Sequence, residues 1–314
     1  MLPENQLAID LVIPVYNEAG VVEQTYASVC KIIDCLPYQF TIYYVDDGSE
    51  DNTVHSLRAL ADQDQRIVLL EFARNFGHQA ALTAGLDASN GDFVISLDGD
   101  GQHPPEMIPQ MINLFEQGYD IVQAQRIEGD QTFSFKQFSS SGFYSLINNI
   151  SGTRMVPGAA DFRGLSRQAV EALKSMPEYH RFLRGMISWM GYRSVILPYH
   201  EPNRVAGKSK YSFGKMFRLA MDAIFSFSLM PLYLGMTLGG ILLCLAAGQI
   251  VYVLSFWLTG RSSELVPGWS SLMSVMLVIG GMLMILLGFI GVYVGYIFQE
   301  VKRRPIYLLK KREK

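Results

Sequence analysis

Two long stretches without a charged side chain set the limits on how this sequence can fold. Ala223–Gly260 contains no Asp, Glu, Lys or Arg, and neither does Leu265–Gln299. Each exceeds the roughly 20 apolar residues needed to cross a bilayer. Up to about residue 210 the composition is instead that of a soluble domain. The expected layout is a water-facing domain, 1–211, followed by membrane helices near 229–258 and 272–298. Between those helices the loop holds only Arg261 and Glu264, whereas Lys302, Arg303, Arg304, Lys310, Lys311, Arg312 and Lys314 crowd the end of the chain. The positive-inside rule therefore places the water-facing domain and both termini in the cytoplasm, with 300–314 as a basic tail. Phe213–Phe227 has an amphipathic period with Lys215 and Arg218 on its polar side, which suits an interfacial helix over 212–228. A soluble core helix has the same period. Glycines at 235, 239, 240, 280, 281, 288, 291 and 295 let the spans approach each other or a second copy, so a homo-oligomer is expected. Gly291-x-x-x-Gly295 is a small-xxx-small pair, although such pairs are frequent by chance.

Net charge is −3, and no nucleic-acid partner is expected. Cys30, Cys35 and Cys244 are few and odd in number, which suits a reduced compartment better than a disulfide framework. Met1–Gln6 is polar and leads straight into a strand, so no signal peptide is expected and membrane insertion falls to the C-terminal spans.

The first half alternates strand and helix. Strands are expected at 7–16, 40–46, 66–72, 93–98 and 119–125, with helical segments after each of the first four, the last of them opening on Pro104-Pro105. This pattern predicts an α/β fold with a mainly parallel sheet and helices on both faces. Gly158–Arg163 reads as a short, turn-bounded element. Helices are expected at 166–176 and 181–190, and a strand at 192–199. Ligands bind such sheets at the carboxyl ends of the strands. Asn17-Glu18, Asp46-Asp47, Arg74-Asn75 and Asp98-Gly-Asp100 all follow strands immediately, a clustering that solubility alone does not explain.

Asp98 and Asp100 fall on opposite faces if the fourth strand persists, but they converge on one hard cation if the chain turns at Gly99. A surface turn is the plain alternative. Gln102 could add an oxygen ligand, while His103 is better suited to a structural role. Asp46 and Asp47 suit base and ribose recognition as hydrogen-bond acceptors, or they shape a turn in which Ser49 or Asp51 caps the next helix. Arg74 faces either a phosphate or a carboxylate. Gly207-Lys208-Ser209 is not a phosphate loop, because Pro202 stands where that loop needs glycine. Arg204, Lys208 and Lys210 nonetheless form a basic loop, suited to closing over a diphosphate or to meeting anionic lipid. No other His or Cys spacing suggests zinc.

With these residues in place, the chain resembles family 2 glycosyltransferases of the polyprenyl-phosphate type. That group includes dolichyl-phosphate mannose synthases and bacterial undecaprenyl-phosphate glucosyl- and aminoarabinosyltransferases. The matching pieces are V-I-P-V-Y-N-E (Val12–Glu18), V-D-D-G-S (Val45–Ser49), R-N-F-G-H (Arg74–His78), D-G-D-G-Q-H-P-P-E (Asp98–Glu106), A-D-F-R (Ala160–Arg163) and N-R-V-A-G-K-S-K-Y (Asn203–Tyr211). The resemblance implies a GT-A catalytic domain in which Pro14, Tyr16, Glu18 and Asp47 hold the nucleotide. It implies that Asp98, Asp100 and Gln102 hold Mg2+ or Mn2+, and that Arg204 and Lys210 close over the diphosphate. Gly164 departs from the pattern, since a larger apolar residue is expected after A-D-F-R.

The reaction so implied moves a sugar from a nucleoside diphosphate to a lipid phosphate with inversion at C1. Negative charge grows on the departing diphosphate, where a metal and a basic loop stabilise it. The acceptor phosphate is already largely anionic near neutral pH, so a strong general base is less necessary than for a hydroxyl. Asp161 is the candidate base or acceptor-positioning group, and equally a structural partner of Arg163. Arg126 and Arg163 are candidates for gripping the lipid phosphate. A processive synthase is disfavoured, because its Q-x-x-R-W is absent and His180–Arg184 lacks the tryptophan. A non-catalytic membrane scaffold is disfavoured by the intact Asp98 and Asp100. The spans resemble the bacterial glucosyl branch, which points to UDP-glucose and undecaprenyl phosphate, with GDP-mannose or UDP-aminoarabinose as other donors.

Overall fold

The structure, a computed structural model, describes residues 6–127, 159–179, 181–200, 230–260 and 268–310. The strands are β1 Ala8–Val15, β2 Gln39–Asp46, β3 Ile67–Glu71, β4 Phe93–Ser96, β5 Ile121–Ile127, β6 Ala159–Ser166 and β7 Ser194–His200. The helices, numbered in order, are α1 Val22–Ile33, α2 Thr53–Gln63, α3 His78–Ala88, α4 Ile108–Glu116, α5 Arg167–Ser175, α6 Leu183–Trp189, α7 Met230–Leu258 and α8 Trp269–Lys302. A short 3-10 turn at Pro105–Met107 leads into α4.

One seven-stranded sheet runs in the order β3-β2-β1-β4-β6-β5-β7. β1 pairs in parallel with both β2 and β4, so its continuous apolar run is buried on both faces, as a central parallel strand requires. Its one acid, Asp10, is buried at 3% exposure and accepts the backbone N–H groups of Asn90 and Gly91 at 2.7 Å each. Helix α1 buries Val22, Thr25, Val29 and Ile33, one face at helical spacing. Helix α3 lies close on the other side of the sheet because it is built of small residues. A Cβ at Gly85 would fall 2.2 Å from Val12 Cγ1. This is the GT-A-like arrangement that the resemblance implies.

β6 corrects the sequence reading. The segment expected to be a short turn-bounded element is an eight-residue strand, antiparallel to both β4 and β5 and lying between them. Asp161 and Arg163 make it read as a loop, yet they share one strand face and neutralise each other at 2.7 Å. Gly164 is also explained. A Cβ there would sit 2.0 Å from Phe93 Cζ, so the Phe93 ring already fills the volume that a larger residue was expected to occupy. Phe93 in turn stacks on Phe115 of α4 at 4.6 Å.

The described chain divides into two units, Met1–Phe213 with Arg304–Lys314, and Gly214–Arg303. The second contains α7 and α8. Among the described residues one stretch, Val278–Lys302, is long and apolar enough to cross a membrane, with mean hydropathy 2.3. Helix α8 extends past both expected ends of the second span, and Arg303 closes it in the left-handed conformation at φ 47°. Gly235 of α7 lies where a Cβ would meet Leu286 of α8 at 2.0 Å, whereas Gly291 and Gly295 face nothing within 4 Å. The basic residues after α8, read as a separate tail, instead begin a segment that rejoins the first unit. The interfacial helix expected at 212–228 lies outside the described residues.

Candidate functional site

β1, β2 and β4 are mutually parallel, so their carboxyl ends share one edge of the sheet, on either side of the point where strand order reverses. β6 runs the other way, and its start reaches the same edge. Its register pairs Ser96 with Arg163, which carries Asp161 opposite Asp98 just beyond the ladder. Ser96 Oγ fastens this end by donating to the Asp161 carbonyl at 2.6 Å.

Asp161 is the centre of an ion cluster. Its carboxylate accepts from Arg163 Nη2 at 2.7 Å and from Arg184 Nε and Nη2 at 3.1 Å each. His78 Nε2 lies 3.3 Å away, and Gln79 Nε2 donates at 3.5 Å. Gln79 also accepts the Leu183 N–H at 3.2 Å, which ties the start of α6 to the start of α3. Burial opposes ionisation of Asp161. The Arg184 charge, the His78 hydrogen bond and Arg163 outweigh it and hold the carboxyl well below its usual range. Burial pulls the Arg163 guanidinium down to about 10, which leaves it charged at neutral pH. His78, whose side chain is 42% exposed, spans Asp161 and Asp98, with Nε2 3.5 Å from Asp98 Oδ1. Burial disfavours its charged form, but the hydrogen bond to Asp161 and the Asp98 charge raise its pKa.

β4 ends at Ser96, so the chain has left the strand before Asp98 and the two carboxylates belong to one turn. Gly99 lets this turn press on β1. A Cβ there would meet Val15 Cγ1 at 2.4 Å and the Pro14 carbonyl at 3.0 Å. The Asp98 N–H donates to His103 Nδ1 at 2.9 Å, and His103 is buried against the Phe162 ring at 5.0 Å, a structural role. Asp98 Oδ1 is buried without a hydrogen-bond partner. Asp100 accepts the Gln102 N–H at 3.0 Å and the Gln102 side-chain amide. Gln102 therefore presents a donor to Asp100. Among the described residues no group of three or more His, Cys, Asp or Glu side chains has a metal-holding arrangement. Asp98 Oδ1, which accepts no hydrogen bond and faces His78 Nε2 at 3.5 Å, together with the neighbouring Asp100 carboxylate still fits a hard divalent ion, which usually takes one or two carboxylates and fills its shell with phosphate oxygens and water.

The other nucleotide candidates are placed differently. Asp46 is fully buried, and both its oxygens accept the Ser49 N–H, at 3.3 and 3.1 Å. Asp47 accepts the N–H groups of Phe76 (2.7 Å) and Gly77 (3.1 and 3.0 Å). Burial raises both carboxyls despite these bonds. The pair thus shapes two loops. Gly48 (φ +71°) allows those loops to touch, because a Cβ there would lie 2.5 Å from the Arg74 carbonyl carbon. The Asn17 N–H donates to Ser49 Oγ and the Glu18 N–H to Thr53 Oγ1, both at 2.9 Å, locking the first loop to the second. Pro14 is buried in β1, Glu18 is half-buried, and Tyr16 is 38% exposed at the sheet edge. Arg74 stacks on Phe76 at 4.2 Å. Arg126 is exposed near the end of β5. Arg204, Lys208 and Lys210 lie outside the described residues. Sequence reasoning assigned no role to His78, Gln79 or Arg184. His78 stood inside the R-N-F-G-H piece, and Arg184 closed the His180–Arg184 stretch, which was read only for the tryptophan it lacks.

The Glycosyl transferase family 2 model matches residues 10–174. An uncharacterised glycosyltransferase of Synechocystis sp. is 36% identical over 303 residues, covering 96% of this chain and 95% of its own length. The SfII prophage-derived bactoprenol glucosyl transferase of Shigella flexneri is 38% identical, covering 97% of this chain and 98% of its own. The bactoprenol glucosyl transferase of Shigella phage SfX is 37% identical, covering 98% and 100%.

Proposed function

The chain belongs to glycosyl transferase family 2 and is a glycosyltransferase, and from that premise we propose that it transfers glucose from UDP-glucose to undecaprenyl phosphate with inversion. The relatives named for bactoprenol glucosyl transfer support this acceptor over nearly the full chain. The geometric observation that carries the reading is the β4–β6 register, which sets a cation-rich cluster on Asp161 directly opposite the acidic Asp98 turn. A reaction between two phosphate-bearing substrates needs both kinds of site side by side.

Asp98 and Asp100 would hold Mg2+ or Mn2+ against the donor diphosphate. That ion would neutralise charge growing on the departing nucleoside diphosphate. Tyr16, Glu18 and the loops shaped by Asp46 and Asp47 would border the nucleotide, and Arg204, Lys208 and Lys210 would close over the diphosphate. Arg163 and Arg184 would orient the acceptor phosphate from their positions on Asp161, with Arg126 as a further contact for the lipid phosphate. Asp161 itself, held well below the usual carboxyl range, is a weak proton acceptor, so its role is to position the guanidinium groups. An acceptor phosphate is already anionic and needs no stronger base.

The same reading assigns 1–211 to the cytoplasmic catalytic domain, 212–228 to an interfacial helix and 229–299 to two spans in the inner (plasma) membrane. The apolar side chains exposed along α8, such as Leu283, Ile285 and Leu287, support a lipid environment. Gly291 and Gly295, which face open space, favour a second copy of the chain as partner.

The test incubates the purified full chain with undecaprenyl phosphate and labelled UDP-glucose, GDP-mannose or UDP-aminoarabinose. Mg2+, Mn2+ or a chelator is included in parallel. Labelled lipid from UDP-glucose, lost with the chelator, is expected. Labelled lipid from another donor alone overturns the sugar assignment, and none from any donor favours the scaffold.

A further inference from the structure

The segment after α8 is bound into the first unit by a series of contacts that the proposed reaction does not call for. β3 is an outer strand of the sheet, and an outer strand presents unpaired backbone groups. Here Phe72, just past β3, forms an antiparallel bridge with Leu309. The Ala73 N–H donates to the Leu308 carbonyl at 2.9 Å, and the Lys310 N–H donates to the Glu71 carbonyl at 2.8 Å. The Tyr307 ring stacks on Phe72 at 5.2 Å with 9° between planes, while Phe76 meets Phe72 edge-on at 5.6 Å. Tyr307 Oη donates to Asp87 at 3.1 Å, near the end of α3. Ile306 and Tyr307 pack against a buried cluster of Val45, Phe72, Ala80, Ala81 and Ala84.

These contacts bracket a loop with consequences at the site. The segment grips Phe72 and Ala73 at the root of the loop and, through the Phe72 ring, Phe76 near its end. The N–H groups of Phe76 and Gly77 are the ones Asp47 accepts, and the next residue, His78, spans Asp98 and Asp161. Residues 74 and 75 are themselves exposed. The loop is therefore held near its end by Asp47, and at its root by a segment of the same unit more than 200 residues later in the chain.

We infer that Ile306–Lys310 is a positioning strap, which orders the Phe72–His78 loop by pairing with the chain where it leaves β3 and so sets His78 against Asp98 and Asp161. Its partner surface is the face made by Phe72, Phe76 and Asp87. A catalytic unit made only of residues 1–213 would keep its sheet but lose the register of this loop. The effect on turnover rests on the proposed transfer activity, whereas the ordering of the loop does not.

The test uses full-length protein in detergent or lipid discs. Tyr307→Ala removes the stack, Lys310→Pro removes the N–H that donates to Glu71, and Tyr307→Phe keeps the stack while losing the Asp87 bond. Hydrogen exchange is read at Phe76 and Gly77, which touch Asp47 rather than the strap, and at the β1 and β2 amides as an internal reference. Exchange at Phe76 and Gly77 is expected to rise about tenfold in Tyr307→Ala and Lys310→Pro with β1 and β2 unchanged, and to stay near native in Tyr307→Phe. The turnover number is expected to fall about tenfold in the first two variants, with the donor KM within about twofold, as for a misplaced positioning group. Unchanged exchange at Phe76 and Gly77 overturns the inference, as does faster exchange spread equally over β1 and β2. Loosened exchange with native turnover overturns the positioning of His78. If the unaltered protein transfers no sugar, the proposed function fails and the exchange result alone decides the strap.

Discussion

Removing the Asp161 charge tests the candidate site most directly. Arg163 and Asp161 side chains are 4% and 7% exposed, whereas Arg184 is 28% exposed. Asp161→Asn preserves shape but removes the carboxylate 2.7 Å from the buried Arg163 guanidinium and leaves it the weaker attraction of Asp98. Breaking a buried pair from one side costs about 3–5 kcal/mol, whereas replacing both partners by apolar residues is often close to neutral. Arg184 can turn toward water, so it adds little to that cost. Asp161→Asn is therefore expected to lose about 3–5 kcal/mol, and Asp161→Asn with Arg163→Met to recover about 2 kcal/mol or more of it. Hydrogen exchange of the β4–β6 ladder amides, read for both single variants and the double variant, supplies the cycle. A coupling below about 0.5 kcal/mol refutes the charge-pair argument. Transfer gives the second readout: the double variant is expected to regain stability but not activity, because the proposed function places Arg163 at the acceptor.

Asp100→Asn is expected to abolish transfer while the protein still folds and inserts, and undiminished transfer in the presence of a chelator would remove the metal role. Gly164→Ala drives a methyl group into the Phe93 ring and is expected to cost about 1–3 kcal/mol in thermal or urea unfolding. Shortening Phe93 to Leu in the same chain should relieve part of that cost. Asp64 is held at about 2, chiefly by the Arg66 side-chain hydrogen bonds. A depressed carboxyl contributes stability above its unfolded pKa and loses it as pH falls through the folded value. Asp64→Asn should thus be less stable than the native chain by about 2 kcal/mol at pH 6, with the difference closing between about pH 4 and pH 2.

The centre of the sheet was legible because β1, β2 and β4 are mainly apolar runs followed by polar clusters, and they end within a residue or two of the expected places. β6 was harder to read because Asp161 and Arg163 cancel each other's charge through a tertiary contact that local pattern does not encode. Gly164 appeared out of place for the same reason, since the ring filling its space comes from residue 93. Asp46 and Asp47 stand at the carboxyl end of β2, but their oxygens are taken by the N–H groups of Ser49, Phe76 and Gly77. A carboxylate that shapes a loop and one that meets a ligand look alike in sequence. The basic end of the chain read as a solvated tail because Tyr307 and Leu309 have no visible partner until Phe72 is brought beside them.

The charge balance around Asp161 bears on how the proposed transfer would proceed. A general base works best when its pKa lies near the working pH, and the guanidinium groups of Arg184 and Arg163 move Asp161 in the opposite direction. What the carboxylate does well is hold Arg184 through both Nε and Nη2, a two-point contact that fixes the plane of the guanidinium. Arg163 is fixed by burial and by the β6 ladder, while Arg184 sits on a short helix tied to α3 through Gln79. One carboxylate against two guanidinium groups leaves an excess of positive charge opposite the acidic Asp98 turn. That excess suits an anionic acceptor, and it would be unnecessary for a neutral hydroxyl. In the proposed reaction the positioning role of Asp161 and a phosphate acceptor are therefore linked, because a carboxylate held well below its usual range and paired with two guanidinium groups suits an acceptor that needs no base.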